Sequence, residues 1–327
     1  MMSHADSLQG TASARSSAHG LARGVLADLR KTPKQLSPTW FYDEYGSQLF
    51  DAICELPEYY VTRTELEIMH RHMADIAARL GPHVAVIEYG SGSSMKTRVL
   101  LDHLESPAVY MPVDISRMHL LDAAGALARD YPELRIKPVC ADFTQPFSLG
   151  PLPASAARRV VYFPGSTIGN FETDAARRLL TSIRTLIGGN GCVLIGVDLK
   201  KDPSVLQRAY DDAAGVTAEF NLNALRHLNH KLGADFDLSS FEHRAVWSAD
   251  HDRIEMYLVS LRDQVVHLGN EQIHFARGEQ LCTEYSHKYT LESFARLASE
   301  AGLVVSHVWT DPQNLFSIQL LERRWLL

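Results

Sequence analysis

The 327-residue chain holds few cysteines, and Cys54, Cys140, Cys192 and Cys282 form no C-x-x-C pair. Thiols this far apart argue against a disulfide framework and a structural zinc site, and they fit a reducing cytoplasm. H-E-x-x-H is also missing. The close pairs His70/His72 and His227/His230 therefore read as solvated or core histidines, and no metal is expected. No apolar run reaches the ~20 residues that a membrane-spanning helix needs. Nor is there an excess of basic residues: 32 Lys and Arg against 39 Asp and Glu give a net charge of -7. A nucleic-acid partner would demand a basic surface, so the expectation is a soluble cytoplasmic protein acting on a small molecule. Residues 1–20 are rich in Ser, Ala and Gly and lack the apolar stretch of a secretory signal. They are expected to form a disordered tail.

What is present falls into two patterns. Between Pro33 and Thr64 aromatic residues crowd together: Trp40, Phe41, Tyr42, Tyr45, Phe50, Tyr59 and Tyr60. Such rings form either a small core or the wall of a pocket, and composition alone leaves both open. From Glu65 onward helical periodicity alternates with short apolar runs. Strands are predicted near residues 84–88, 108–113, 135–139, 159–163 and 192–197. Helices are predicted at 65–80, 96–104, 120–130 and 173–187. This alternation implies a parallel sheet covered on both faces.

After Asp198 the alternation stops. A helical stretch is predicted over 200–232, followed by strands near 241–247, 253–261, 265–268 and 273–275. A helix at 291–301 and a hairpin of 304–310 with 316–321 would close the main sheet. The fold class is therefore α/β, with a nucleotide-binding domain (65–199 and 290–327) interrupted by a smaller α+β domain (21–64 and 200–289).

Glu88-Tyr89-Gly90-Ser91-Gly92 follows a predicted strand and precedes a predicted helix. Glycines there let backbone approach a ligand at the carboxyl end of a strand, although a plain tight turn has the same appearance. Met95 occupies the third glycine position of a dinucleotide fingerprint, which argues against a bound pyrophosphate. Glu88, two residues before Gly90, gives E-x-G-x-G, which instead resembles the first motif of Rossmann-like methyltransferases; that resemblance implies a phosphate-free ligand whose cationic amino-acid end an acidic residue can face. Asp114 ends the next predicted strand and can accept hydrogen bonds from ribose hydroxyls. Asp142 and Phe143 follow the third, where an acid can hold an adenine amino group and a ring can pack on the base. Each Asp could equally cap the following helix.

With these residues the chain resembles the S-adenosylmethionine-dependent L-histidine Nα-methyltransferases of ergothioneine biosynthesis, from about Leu29 to its end. The resemblance rests on the strings TWFYDEYGSQLFD, LPEYYVTRTE, EYGSGSSMKTRVLLD, FPGSTIGNF, RAYDDAAGVTAEFN, RIEMYL and TEYSHKY. It implies a Rossmann-like methyltransferase sheet with a second, smaller α+β domain that binds substrate. It also implies S-adenosylmethionine held by Glu88, Gly90, Gly92, Lys96, Asp114, Asp142 and Phe143.

For the substrate, the resemblance implies Asn170 and Tyr210 at the histidine carboxylate, Tyr59, Glu284 and Ser286 at the imidazole, and Met256 packed on the ring. Tyr42 is expected beside the reacting amine as the catalytic residue. Taken singly, Met256 and Tyr210 would pass for packing residues and Asn170 for a turn residue. Two departures from the family pattern stand out: Tyr89 replaces an aliphatic residue and Val61 a proline.

The implied reaction is successive transfer of methyl groups to the α-amine, ending in Nα,Nα,Nα-trimethylhistidine (hercynine). The alternatives are a methyltransferase acting on another amino acid or small amine, a nicotinamide-dependent dehydrogenase, and a non-catalytic cofactor-binding module.

Overall fold

A computed structural model describes residues 20–90 and 94–324. The expected tail (apart from Gly20, which begins a helix) and Gly92 of the glycine loop lie outside the described residues. The chain divides into two compact units. The first holds residues 20–53, 210–246 and 255–284, and the second holds 54–209, 247–254 and 285–324 among the described residues.

In chain order the helices are α1 (20–29), α2 (Glu44–Glu55), α3 (Tyr60–Leu80), α4 (Met95–Leu101), α5 (Arg117–Asp130), α6 (Thr173–Ile187), α7 (Pro203–Tyr210), α8 (Val216–Leu232) and α9 (Leu291–Glu300). The strands are β1 (Lys34–Gln35), β2 (Val84–Tyr89), β3 (Val109–Asp114), β4 (Val139–Cys140), β5 (Arg158–Phe163), β6 (Cys192–Asp198), β7 (Phe241–Ser248), β8 (Arg253–Ser260), β9 (Gln264–Leu268), β10 (Glu271–Phe275), β11 (Gln280–His287), β12 (Leu303–Thr310) and β13 (Phe316–Arg323).

The second unit is built on a seven-stranded sheet of order β12-β13-β6-β5-β2-β3-β4. Strands β2 to β6 run parallel, and β13 lies antiparallel between β6 and β12. Strands β2 and β6 are buried along their whole length, which is why they read as continuous apolar runs. Helices α6 and α9 bury Leu179, Leu180, Ile183, Phe294 and Leu297 in the same core as Ile87, Val161 and Val193. The expected α/β architecture and its closing hairpin are both present.

The first unit carries most of a four-stranded sheet, order β1-β11-β8-β7, and the hairpin of β9 with β10. Helix α8 holds the aromatic segment: Asn223 donates to the Phe41 carbonyl (3.2 Å) and to Asp43 (2.8 Å).

Three local expectations shift. The helix predicted over 200–232 breaks into α7 and α8, because Gly215 takes φ +74° and Asp212 receives the N–H groups of Val216 (3.0 Å) and Thr217 (2.7 Å). The strand predicted at 135–139 contracts to β4 with one bridge at Ile136, since Pro138 has no N–H to pair. Strand β11 was not anticipated as a strand.

Gly196, inside β6, marks a close approach. A Cβ there would lie 2.3 Å from Glu65 Oε1, 3.0 Å from Phe316 and 3.1 Å from the Gly165 nitrogen. Glu65 is fully buried and held by Lys96 and Gly165, so it cannot swing aside. Gly196→Ala is expected to lower stability by about 1–3 kcal/mol, read as a lower urea midpoint at unchanged slope.

Candidate active site

The strand order reverses at β2, whose neighbours β3 and β5 lead to opposite edges of the sheet. Open α/β sheets bind ligands beyond the carboxyl ends of their strands at such a switch point. Gly90, just past β2, sits there. Gly90 adopts φ +73° and donates its N–H to the Val113 carbonyl (3.0 Å), in a left-handed conformation that favours glycine.

Glu88 is 2% exposed. It accepts hydrogen bonds from Thr97 Oγ1 (2.9 and 2.8 Å) and from the Tyr110 hydroxyl, tying β2 to α4 and β3. Burial pushes its carboxyl up to about 7, against the pull of these two hydroxyls. Lys96 reaches across to Glu65 at 2.5 Å, and Glu65 also accepts the Gly165 N–H (3.0 and 2.9 Å) in the loop after β5.

Asp114 Oδ1 takes the Ser116 N–H at 2.8 Å, and Asp142 Oδ1 takes the Thr144 N–H (2.9 Å) and hydroxyl (2.6 Å). The turn-capping role left open by the sequence is thus filled by one oxygen of each acid. Phe143 stacks on Tyr89 with centroids 4.9 Å apart and planes at 20°. Tyr89, the departure from the family pattern, therefore builds the wall beside Phe143. The donor set fits a nucleoside with a cationic tail, since Lys96 is committed to a carboxylate rather than set out for a phosphate.

The substrate candidates are distributed over both units. In the first, Tyr42 ends the 3-10 turn Pro38–Phe41 and meets Phe50 (5.9 Å) and Phe220 (5.7 Å) edge-on. Tyr210 ends α7. Its carbonyl lies 2.9 Å from His243 Nε2, while Asn221 donates to His243 Nδ1 at 2.8 Å. A carbonyl only accepts, so Nε2 carries the proton, and burial lowers the pKa of the ring and favours its neutral form. Met256 is buried on β8, where its carbonyl accepts from Thr283 of β11 (3.1 Å), one residue before Glu284.

In the second unit, Tyr59 caps α3 after a turn whose Pro57 carbonyl is held by Arg63 (3.1 Å). Asn170 ends the 3-10 turn Thr167–Asn170. A Cβ on neighbouring Gly169 would lie 2.8 Å from the His287 carbonyl, so this turn abuts the end of β11. Ser286, 3% exposed, lies on that strand.

Sequence reasoning missed the polar cluster below. Asp198, fully buried at the end of β6, is paired with Lys201 (2.6 Å) and Lys288 (2.7 Å) and accepts the Tyr60 hydroxyl at 2.8 and 2.7 Å. The two ammonium groups hold the Asp198 carboxyl below its ordinary value in spite of burial. Desolvation lowers Lys201 to about 8. The one available signal was that Tyr60 and Lys288 fall inside the family-specific strings.

This strand order, with the antiparallel β13 beside β6 and acids at consecutive strand ends, defines the class: a Rossmann-like S-adenosylmethionine-dependent methyltransferase. The family profile described as "Histidine-specific methyltransferase, SAM-dependent" matches residues 21–323, and the chain belongs to that family. It is 43% identical to "Histidine N-alpha-methyltransferase" of Mycolicibacterium smegmatis, over 97% of this chain and 99% of that protein. Identity to the protein of the same name from Mycobacterium tuberculosis is 40%, over 93% and 95%. "Ergothioneine biosynthesis protein 1" of Neurospora crassa is 30% identical over 89% of this chain, which matches 33% of that longer protein.

His287, beside Ser286, has a testable consequence for stability. Its ring is 7% exposed, and Nε2 finds no hydrogen-bond partner among the described residues. Burial, reinforced by the Arg253 cation, lowers it from 6.5 to about 4. Between those values the unfolded chain binds a proton that the folded chain refuses, so stability falls as pH falls. The expected loss is about 3 kcal/mol between pH ~6.5 and ~4. Denaturant titrations across that range should show this component absent in His287→Gln.

Proposed function

We propose that this chain transfers methyl groups from S-adenosylmethionine to the α-amine of L-histidine in succession, ending in Nα,Nα,Nα-trimethylhistidine. The family match over 21–323 carries the reading, supported by the two near-full-length histidine Nα-methyltransferase relatives. In this reading Glu88, Gly90, Gly92, Lys96, Asp114, Asp142 and Phe143 form the cofactor site. Asp114 and Asp142 each use Oδ1 in a turn, and their carboxylates serve the ribose and the adenine. Glu88 and Lys96 act one layer back, since Thr97, Tyr110 and Glu65 already engage them.

The bound sulfonium supplies an electrophilic methyl carbon. The protein's work is to hold a neutral amine in line with it and to exclude water. An α-amine loses its proton near pH ~8, so a strong general base is not required. Tyr42, supported by Phe50 and Phe220, orients the amine and faces its growing cationic head. Asn170 and Tyr210 take the carboxylate, Tyr59, Glu284 and Ser286 the imidazole, and Met256 the ring face. A net charge of -7 supports a small-molecule acceptor over a nucleic acid, and the separated thiols support a cytoplasmic setting.

Loss of the Asp114 carboxylate is expected to weaken S-adenosylmethionine binding by about 1–3 kcal/mol. Calorimetry on folded Asp114→Ala checks this, and unchanged affinity removes Asp114 from the site.

The anchors on carboxylate and ring grip parts of histidine that methylation leaves unchanged, so mono- and dimethylated products rebind in the same frame. The third transfer leaves no lone pair, and the chemistry stops. A time course with excess donor, followed by mass and fragment analysis, should end at trimethylhistidine with every methyl on the α-nitrogen. Accumulation of monomethylhistidine alone, or methyl on the imidazole, overturns the reading.

A further inference from the structure

Glu65 of α3 is fully buried, and two glycines from separate segments make room for its carboxylate. Gly196 leaves the space: a Cβ there would lie 2.3 Å from Glu65 Oε1. Gly165 takes φ +75°, a conformation open to glycine, and shares its N–H between Oε1 (3.0 Å) and Oε2 (2.9 Å). Oε2 also holds Lys96 Nζ at 2.5 Å. Lys96 is the second residue of α4, and part of its side chain stays exposed where that of Glu65 does not. A ligand can therefore approach the cation but not the carboxylate.

The other partner of Glu65 leads toward Asn170. From Gly165 the chain enters the turn that ends at that residue. The Thr167 hydroxyl donates to the Pro164 carbonyl (3.0 Å), and the Gly169 N–H to the Ser166 carbonyl (2.8 Å). Ser166 Oγ accepts the Asp198 N–H at 2.9 Å. In a turn bonded this densely, Gly165 and Asn170 move together. A hydrogen bond from an N–H to an ionised carboxylate is roughly twice as strong as one to a neutral oxygen. Its strength here depends on how much of the Glu65 charge is taken up by Lys96. A second carboxylate near Lys96 draws on the same ammonium, and Glu65 then pulls harder on the Gly165 N–H.

We propose that Glu65 is a positioning residue that couples the donor and acceptor sites through its two partners, Lys96 and Gly165. The α-carboxylate of the methyl donor acts on Lys96, and Glu65 tightens on the Gly165 N–H. The turn bearing Asn170 is thereby fixed for the α-carboxylate of histidine. A filled donor site raises affinity for the acceptor, and by linkage the acceptor raises affinity for the donor. This rests on the reading above, which puts Lys96 with the donor and Asn170 with the acceptor.

The test is calorimetric binding of L-histidine to the full-length protein, alone and with a saturating nucleoside. One nucleoside is S-adenosylhomocysteine. The other is its decarboxylated counterpart, which keeps the amine and lacks the carboxylate. In wild type the first should tighten histidine binding by about fivefold or more, and the second by less than about twofold. Glu65→Gln keeps an acceptor for the Gly165 N–H and removes the charge. In that variant S-adenosylhomocysteine should tighten histidine binding by less than about twofold.

Tightening of wild-type size in Glu65→Gln means that Glu65 serves the fold alone, and overturns the proposal. Equal tightening of wild type by both nucleosides overturns it without any variant, which decides the matter should Glu65→Gln not fold. Wild type that binds histidine equally well with and without S-adenosylhomocysteine also overturns it. In all three cases histidine methylation itself stands. Absence of histidine binding to wild type under every condition overturns the functional reading as a whole.

Discussion

A carboxylate taken wholly out of water is the constraint on which this end of the second unit depends. Asp198 closes β6 with no exposure, and an isolated charge there would cost several kcal/mol. The cost is met by gathering three separate segments around it: Tyr60 from the start of α3, Lys201 from the loop before α7, and Lys288 just past β11. The backbone follows the same plan. The Asp198 N–H goes to Ser166 Oγ (2.9 Å) and its carbonyl receives the Tyr289 N–H (3.1 Å). Once the charges are satisfied, the loop after β5, the end of β6 and the end of β11 have one mutual arrangement, and Ser286 is placed by it.

Two further buried acids, near the carboxyl ends of β2 and β5, work differently. Glu65 meets a cation, Lys96, and a backbone N–H. Among the described residues, the hydrogen-bond donors to the Glu88 carboxylate are hydroxyls, with the Lys96 charge acting from farther off. Desolvation therefore wins at Glu88, whose carboxyl rises to about 7. Its hydrogen bonds to Thr97 and Tyr110 lock β2, β3 and α4 together beside Gly90.

The chemistry asks little of the chain in acid or base strength. The electrophile arrives with the donor, and the amine needs only the loss of one proton near its ordinary pKa. The polar clusters accordingly behave as positioning devices. His243 holds the Tyr210 carbonyl, and Lys288 holds Ser286. Groups fixed in this way cannot rotate freely, since an unmet polar group in a buried setting is costly.

Much of this was legible in the sequence, for a local reason. Strands buried on both faces read as apolar runs, and α6 shows a helical repeat clear enough that its predicted and observed ends coincide at 173 and 187. Gly90, Asp114 at the end of β3 and Asp142 just past β4 announce themselves because each sits at a strand end visible within a few residues. The family strings pointed to Tyr59, Asn170, Tyr210, Met256, Glu284 and Ser286 as a set without saying what lies behind any of them.

Other features were settled only by tertiary structure. The break between α7 and α8 needed Asp212 to be seen capping the next helix. Lys96 gained its partner from a residue 31 positions away, and Tyr60 met Asp198 across 138. No local pattern encodes such pairs. They follow from the order in which strands assemble and from the cost of burying a charge without its counterpart.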